Sequence, residues 1–354
     1  MSLRNLLISL SLSSLCLAEP ALSQEIEHYI LEAYPEAIQA RFEQQARELL
    51  ALPRDVVTVR PEMVMDALRK WGLGNTITFA FKGGDADLHK KIAAVSMEWT
   101  KYANLKFDFG YDANTGEYRK WSTSDTSYKA DVRISFDQVG YWSIVGKDSV
   151  VYNISPPGEA SLNLEGFDRG LPSDWEGTVL HEIGHAIGAH HEHQHPTLGC
   201  DAEWRWDDDP GYVPTRDQFG RFKADGAGRR PGIYTVLGGP PNKWSRSKVD
   251  HNLRQLTNSS AYDVGEFDVK SIMKYYFAAW MFRQGEKSQC YNGVENTVLS
   301  DEDKKRIAQI YPAQPAAAMA SEKSASDPNV SKLIDAARNL PSLRHRLETY
   351  LQKP

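Results

Sequence analysis

Between residues 181 and 191 the chain reads HEIGHAIGAHH, a spacing that constrains the fold more than any other stretch of the sequence. On an α-helix, residues four apart stand one above the other, so His181 and His185 project from one face and can share a single cation. Glu182, beside the first of them, is angled toward a water on that cation rather than toward the cation itself. Gly188, three residues past His185, can end the helix in a left-handed conformation and turn the chain, so that His191 swings back toward the same point. The rest of the helix, Val179, Leu180, Ile183, Ala186 and Ile187, is apolar, and unpaired imidazoles in a buried helix would be costly. Residues 177–199 hold six of the chain's ten histidines; His190, His193 and His195 are expected to face solvent or to support the others.

His, Glu and His at this spacing make the hydrolytic zinc motif, and a catalytic zinc keeps three protein ligands and one open position. One zinc per chain is therefore expected on His181, His185 and His191, with Zn–N distances of about 2.0–2.1 Å, and Glu182 as the general base for its water.

The motif HExxHxxGxxH followed by Glu192 resembles the astacin family of metzincin zinc metalloendopeptidases. Downstream, "SIMKYY" resembles that family's methionine turn at Met273, with Tyr275 matching the tyrosine set beside the zinc. The resemblance runs over about residues 72–312. It implies an α+β, two-subdomain fold: a twisted, mixed but mostly parallel sheet with two long helices above a loop-rich lower half, the zinc lying between. It also implies that Tyr275 stabilises the oxyanion, that "ASLNLEGF" (160–167) is the edge strand taking an extended substrate, and that protein or peptide substrates are cleaved by a monomer. Glu192 is expected to tie an N-terminal segment or a backbone group. The chain departs from the family in reading "GYWS" where a cysteine is usual, in placing His195 and Pro196 after the HE pair, and in lacking the inhibitory FxGD motif within residues 24–72. "FKGGD" (81–85) is close in letters but reads as a strand leaving into a turn.

Charge and length narrow the alternatives. The 354 residues carry 41 Lys and Arg against 47 Asp and Glu, a net charge of −6, which leaves no basic footprint for nucleic acid or an anionic membrane. Residues 1–23, with Arg4, an apolar run from Leu6 to Ala18 and small residues after it, read as a cleaved secretory signal too short to span a bilayer. The protein is thus expected outside the cytoplasm, extracellular or periplasmic. Removing that stretch leaves Cys200 and Cys290 as candidates for a disulfide.

The remaining organisation follows from periodicity. Residues 24–72 form a helical N-terminal segment or propeptide, with Ile38, Phe42, Leu49 and Leu50 recurring after Pro35. The main domain spans 73–312. "NTITFAF" alternates as a half-buried strand, then a helix carries Leu88, Ile92, Val95, Trp99 and Tyr102. "LKFDF", "DVRISF", "SVVYNI" and "ASLNL" read as further strands, and "SDEDKKRIAQIY" as a helix capped by Ser300. A linker (313–328) and a helical appendage (329–354) close the chain. A metal-binding pseudoprotease and a non-enzymatic adhesion protein stay open as other classes, separable by a peptidase assay and by metal analysis.

Overall fold

The computed structural model describes residues 32–52, 68–196, 200–256, 265–313 and 328–352; the expected signal and nearly all of the linker lie outside them. After helix α1 (Glu36–Leu50), the upper half is built on strands β1 (Thr76–Lys82), β2 (Lys106–Asp108), β3 (Val132–Ser135), β4 (Tyr141–Ser143) and β5 (Leu162–Leu164). They pair in the order β2-β1-β3-β5-β4, all parallel except the β4–β5 pair. Helices α2 (Ala86–Ser96) and α3 (Trp175–Ala186) pack on one face of this sheet. The α+β arrangement with a mostly parallel sheet and two helices is the one the sequence led us to expect.

Strand β1 is more deeply buried than a half-buried strand. Ile77, Phe79 and Phe81 face Leu88 and Ile92 of α2 and Val179 and Ile183 of α3, while Ala80 is sealed on the opposite face among Trp121 and Ala130. Full burial of each large apolar side chain contributes about 1.5–3 kcal/mol, so this layer fixes where α3 sits. At the end of β1 the chain turns through Gly83 and Gly84, and the Asp85 carboxylate caps α2 by accepting the Leu88 N–H at 2.9 Å. "FKGGD" is therefore a strand end and a helix cap.

Two expectations are corrected. "SVVYNI" is not a strand: residues 146–150 form a 3₁₀ turn. The cause is Arg133, fully buried on β3, whose guanidinium donates to the carbonyls of Ser149, Ser155 and Glu159 and so holds this segment as a cradle of acceptors. Second, β5 is an inner strand, paired on both sides; the edge beyond it is β4, from "GYWS".

The lower half has little regular structure: a two-stranded ribbon of β6 (Thr215–Arg216) and β7 (Phe222–Lys223), and helices α4 (Ile233–Gly238) and α5 (Arg246–Leu253). Its core gathers Trp204, Trp206, Ile233, Leu237, Phe277 and Phe282 around a disulfide between Cys200 and Cys290, whose Cα atoms are 5.9 Å apart. Helix α6 (Asp301–Ile310) closes the domain with the expected Ser300 cap, and α7 (Pro328–Ala336) and α8 (Pro341–Gln352) lie against α1. Among the described residues no helix is long and apolar enough to cross a membrane.

Candidate metal centre

Helix α3 reaches the centre of the molecule with its last turn satisfied by side chains from elsewhere. The Trp71 indole N–H donates to Ala186 O at 2.9 Å, the Tyr311 hydroxyl to Ile187 O at 2.7 Å, and the Trp99 indole N–H to Leu180 O at 2.9 Å. The Ala186 and Ile187 carbonyls, which the helix end would leave orphaned, are thereby paired. Gly188 follows at φ +106°, a left-handed turn open to glycine, and sends the chain back past the helix. Gly184, between the first two histidines, admits Met273: a Cβ there would stand 2.4 Å from the Met273 sulfur.

The turn brings three imidazoles to one point. His185 Nε2 lies 3.2 Å from His181 Nε2 and 2.9 Å from His191 Nε2. Ligands about 2.0–2.1 Å from a tetrahedral centre stand roughly 3.3 Å apart, so the nitrogens are near the spacing that one zinc requires. Their outer nitrogens settle the tautomers. His181 Nδ1–H donates to Ile272 O at 2.6 Å and His185 Nδ1–H to Ala189 O at 2.8 Å, which leaves each Nε2 lone pair aimed inward. Acceptors facing acceptors at such distances need a cation between them, and the donor set therefore fits a zinc site. Burial pushes the His191 imidazole down to about 3, keeping that ring neutral as a ligand must be.

A fourth group completes the cluster, and the sequence did not point to it. Glu32, in the extended stretch ahead of α1, lies with one carboxylate oxygen 3.1 Å from His181 Nε2 and 3.2 Å from His191 Nε2, and with the other 3.5 Å from His185 Nε2. It groups with the three histidines as a candidate metal-binding set. The Tyr275 hydroxyl donates to it at 2.6 Å.

Glu182 is buried beside the cluster, and its Oε2 has no hydrogen-bond partner. Burial, reinforced by the Glu32 charge, raises its pKa well above the usual carboxylate value. Tyr275 is buried too, its ring centroid 4.5 Å from that of His191 and 5.1 Å from that of His193. Glu192 ties backbone: Asp268 N–H donates to its carboxylate at 2.8 Å, and its own N–H donates to Met273 O at 2.9 Å. The other three histidines stay outside the cluster. His190 Nε2 lies 3.3 Å from Arg69, His193 Nε2 binds Asn252 O at 2.8 Å, and His195 Nε2 binds Gly265 O at 3.1 Å.

Comparison with known proteins agrees with this geometry. No family model matches the chain. A zinc metalloproteinase of Caenorhabditis elegans, dpy-31, is 27% identical over 179 residues, covering 49% of this chain and 24% of its own length; the chain thus spans about a quarter of that curated relative. The solved structure of myroilysin superposes with a TM-score of 0.50 at 28% identity, covering 70% of this chain and 97% of its own. By fold and by the order of its motifs, the chain resembles the astacin-like metzincins. In this chain a glutamate from its own N-terminal segment, Glu32, is seated among the three imidazoles.

Proposed function

We propose that this chain is a secreted zinc metalloendopeptidase that hydrolyses peptide bonds in proteins. The observation that carries the reading is the convergence of three inward-facing imidazole nitrogens next to Glu182, a buried carboxyl with one oxygen unpartnered. His181, His185 and His191 would hold one zinc. When bound, the metal supplies Lewis acidity for the scissile carbonyl and lowers the pKa of water toward 7.

The chain's own groups do the rest. Glu182 takes the proton from the attacking water, and its raised affinity for that proton suits it to pass the proton on to the leaving amine. The Tyr275 phenol donates a hydrogen bond to the oxygen of the scissile carbonyl as negative charge develops there. An extended peptide adds to edge strand β4, where main-chain groups of Tyr141–Ser143 give sequence-independent binding once the Tyr34 hydroxyl leaves Ser143 O. The apolar leader and the disulfide support an oxidising compartment outside the cytoplasm. The similarity to the zinc metalloproteinase dpy-31 supports the reaction class.

The test is hydrolysis of casein or a quenched peptide, with zinc content, for the wild type and Glu182→Ala. Both should bind one zinc, and the variant should lose roughly 10²–10⁴-fold in turnover. Chelator-insensitive cleavage, or full activity in the variant, would sink the mechanism.

A further inference from the structure

Lys274 lies between Met273 and Tyr275, and no part of it reaches solvent. Its amine donates to Tyr275 O at 2.9 Å and stands 4.5 Å from the centre of the Phe277 ring, which in turn meets the Tyr275 ring edge to face at 5.5 Å. A buried amine set beside one carbonyl and a ring face costs stability, and an apolar side chain of the same length would fill the space without that penalty. Packing alone does not account for a lysine here.

The same peptide unit is held from its other side. Tyr275 C=O and Tyr276 N–H belong to one planar group, and the Tyr276 N–H donates to the Glu295 carboxylate at 3.0 Å. Glu295 is an exposed residue on an anchored loop. Next to it, Asn296 Nδ2 donates to Val269 O at 3.0 Å and to Ser271 O at 2.8 Å. Thr297 packs so closely on Gly177 of α3 that a Cβ on that glycine would stand 2.8 Å from the threonine Cα. With its oxygen on an amine and its N–H on a carboxylate, the plane is gripped at both ends. Its orientation sets ψ of Tyr275 and with it the direction in which the phenol leaves the backbone.

We propose that Lys274 and Glu295 are positioning residues for the reaction, a clamp on the Tyr275–Tyr276 peptide unit that holds the phenol in place for the scissile carbonyl. This rests on the zinc-peptidase reading above. Burial pushes the Lys274 amine down to about 7, against the charges of Glu295 and Glu192, and His193 is the other titratable group it faces. An ammonium grips a carbonyl about twice as strongly as a neutral amine does, so the clamp loosens as pH rises through that value.

Lys274→Met in the full, zinc-loaded chain separates this role from packing. Peptide cleavage should lose roughly ten- to a hundredfold in kcat with KM little changed, while the melting temperature holds or rises. The fall in wild-type kcat above about pH 7 should vanish from this variant. Glu295→Gln should lose less, roughly threefold, and should move that fall to lower pH, because the amine loses a favourable charge. The double variant should lose no more than Lys274→Met alone, since both side chains act on one peptide unit. Amide hydrogen exchange, which needs no turnover, should quicken at Tyr276 and Phe277 in Lys274→Met. Unchanged exchange there, or lost stability with kcat intact, would overturn the clamp, and fully additive losses would overturn the joint action of the pair. A wild type that binds zinc without cleaving would overturn the peptidase reading instead, and the exchange result would then decide by itself whether Lys274 holds the tyrosine.

Discussion

Above the cleft, His181, Glu182 and His185 ride on one hydrogen-bonded helix whose apolar face is sealed against a five-stranded sheet. Below it, Met273 and Tyr275 sit on a stretch, residues 265–278, with neither helix nor strand. That lower stretch is held by individual bonds: the Asp303 carboxylate accepts from Ser271 Oγ at 2.6 Å and from Ile272 N–H at 2.8 Å, and Ser271 Oγ accepts from Met273 N–H at 3.0 Å. The disulfide and its aromatic surround do the work that a sheet does above. Regular structure distributes stability over many equivalent contacts, whereas the lower half concentrates it in a few, so single changes should separate the two.

The largest separation is expected from Cys200→Ser with Cys290→Ser. Opening a cross-link across 90 residues of sequence costs about 2–5 kcal/mol. The loss should be local: amide protection should fall in α4, α5 and residues 265–278 while α2 and α3 keep theirs, as hydrogen exchange can read. Uniform loss across both halves would mean that they unfold as one unit and would break the comparison.

Next comes Tyr275→Phe. If the lower half contributes to chemistry and not only to packing, kcat should fall roughly 10²–10³-fold with zinc content and KM little changed, the magnitude seen for loss of one oxyanion donor. A change confined to KM would make Tyr275 a binding group.

The same contrast explains what the sequence revealed. The histidines, Glu182 and Gly188 were legible because their geometry is local, set by the pitch of one helix and one left-handed turn. Ser300 and Asp85 announced their helices for the same reason. The edge strand was misplaced because alternation in "ASLNL" reports burial and not which neighbour is missing, and "GYWS" is too short to show alternation at all. "SVVYNI" has the β-branched content of a strand, yet a buried arginine from elsewhere in the chain claimed its carbonyls. Glu32 left no signal, since it stands 149 residues from His181 and is an ordinary acidic residue until the chain folds.

The smallest effect should come from Ser300→Ala, and its size tests how the lower half is wired. Ser300 Oγ accepts from Asp303 N–H at 3.0 Å, and the Asp303 carboxylate returns a bond to Ser300 N–H at 2.9 Å. The same carboxylate reaches across to Ser271 and Ile272 beneath the metal centre. Removing the Ser300 hydroxyl deletes a helix cap worth about 1 kcal/mol but leaves Asp303 its own acceptor bonds, so stability should drop by that amount with peptide cleavage unchanged. Asp303→Ala strips two buried N–H donors and a hydroxyl of their partner, about 1–3 kcal/mol for each buried group left unpaired, and should lower cleavage as well. Equal activity losses from both variants would mean that α6 as a whole positions the methionine turn; a loss only from Asp303→Ala would assign that task to one carboxylate.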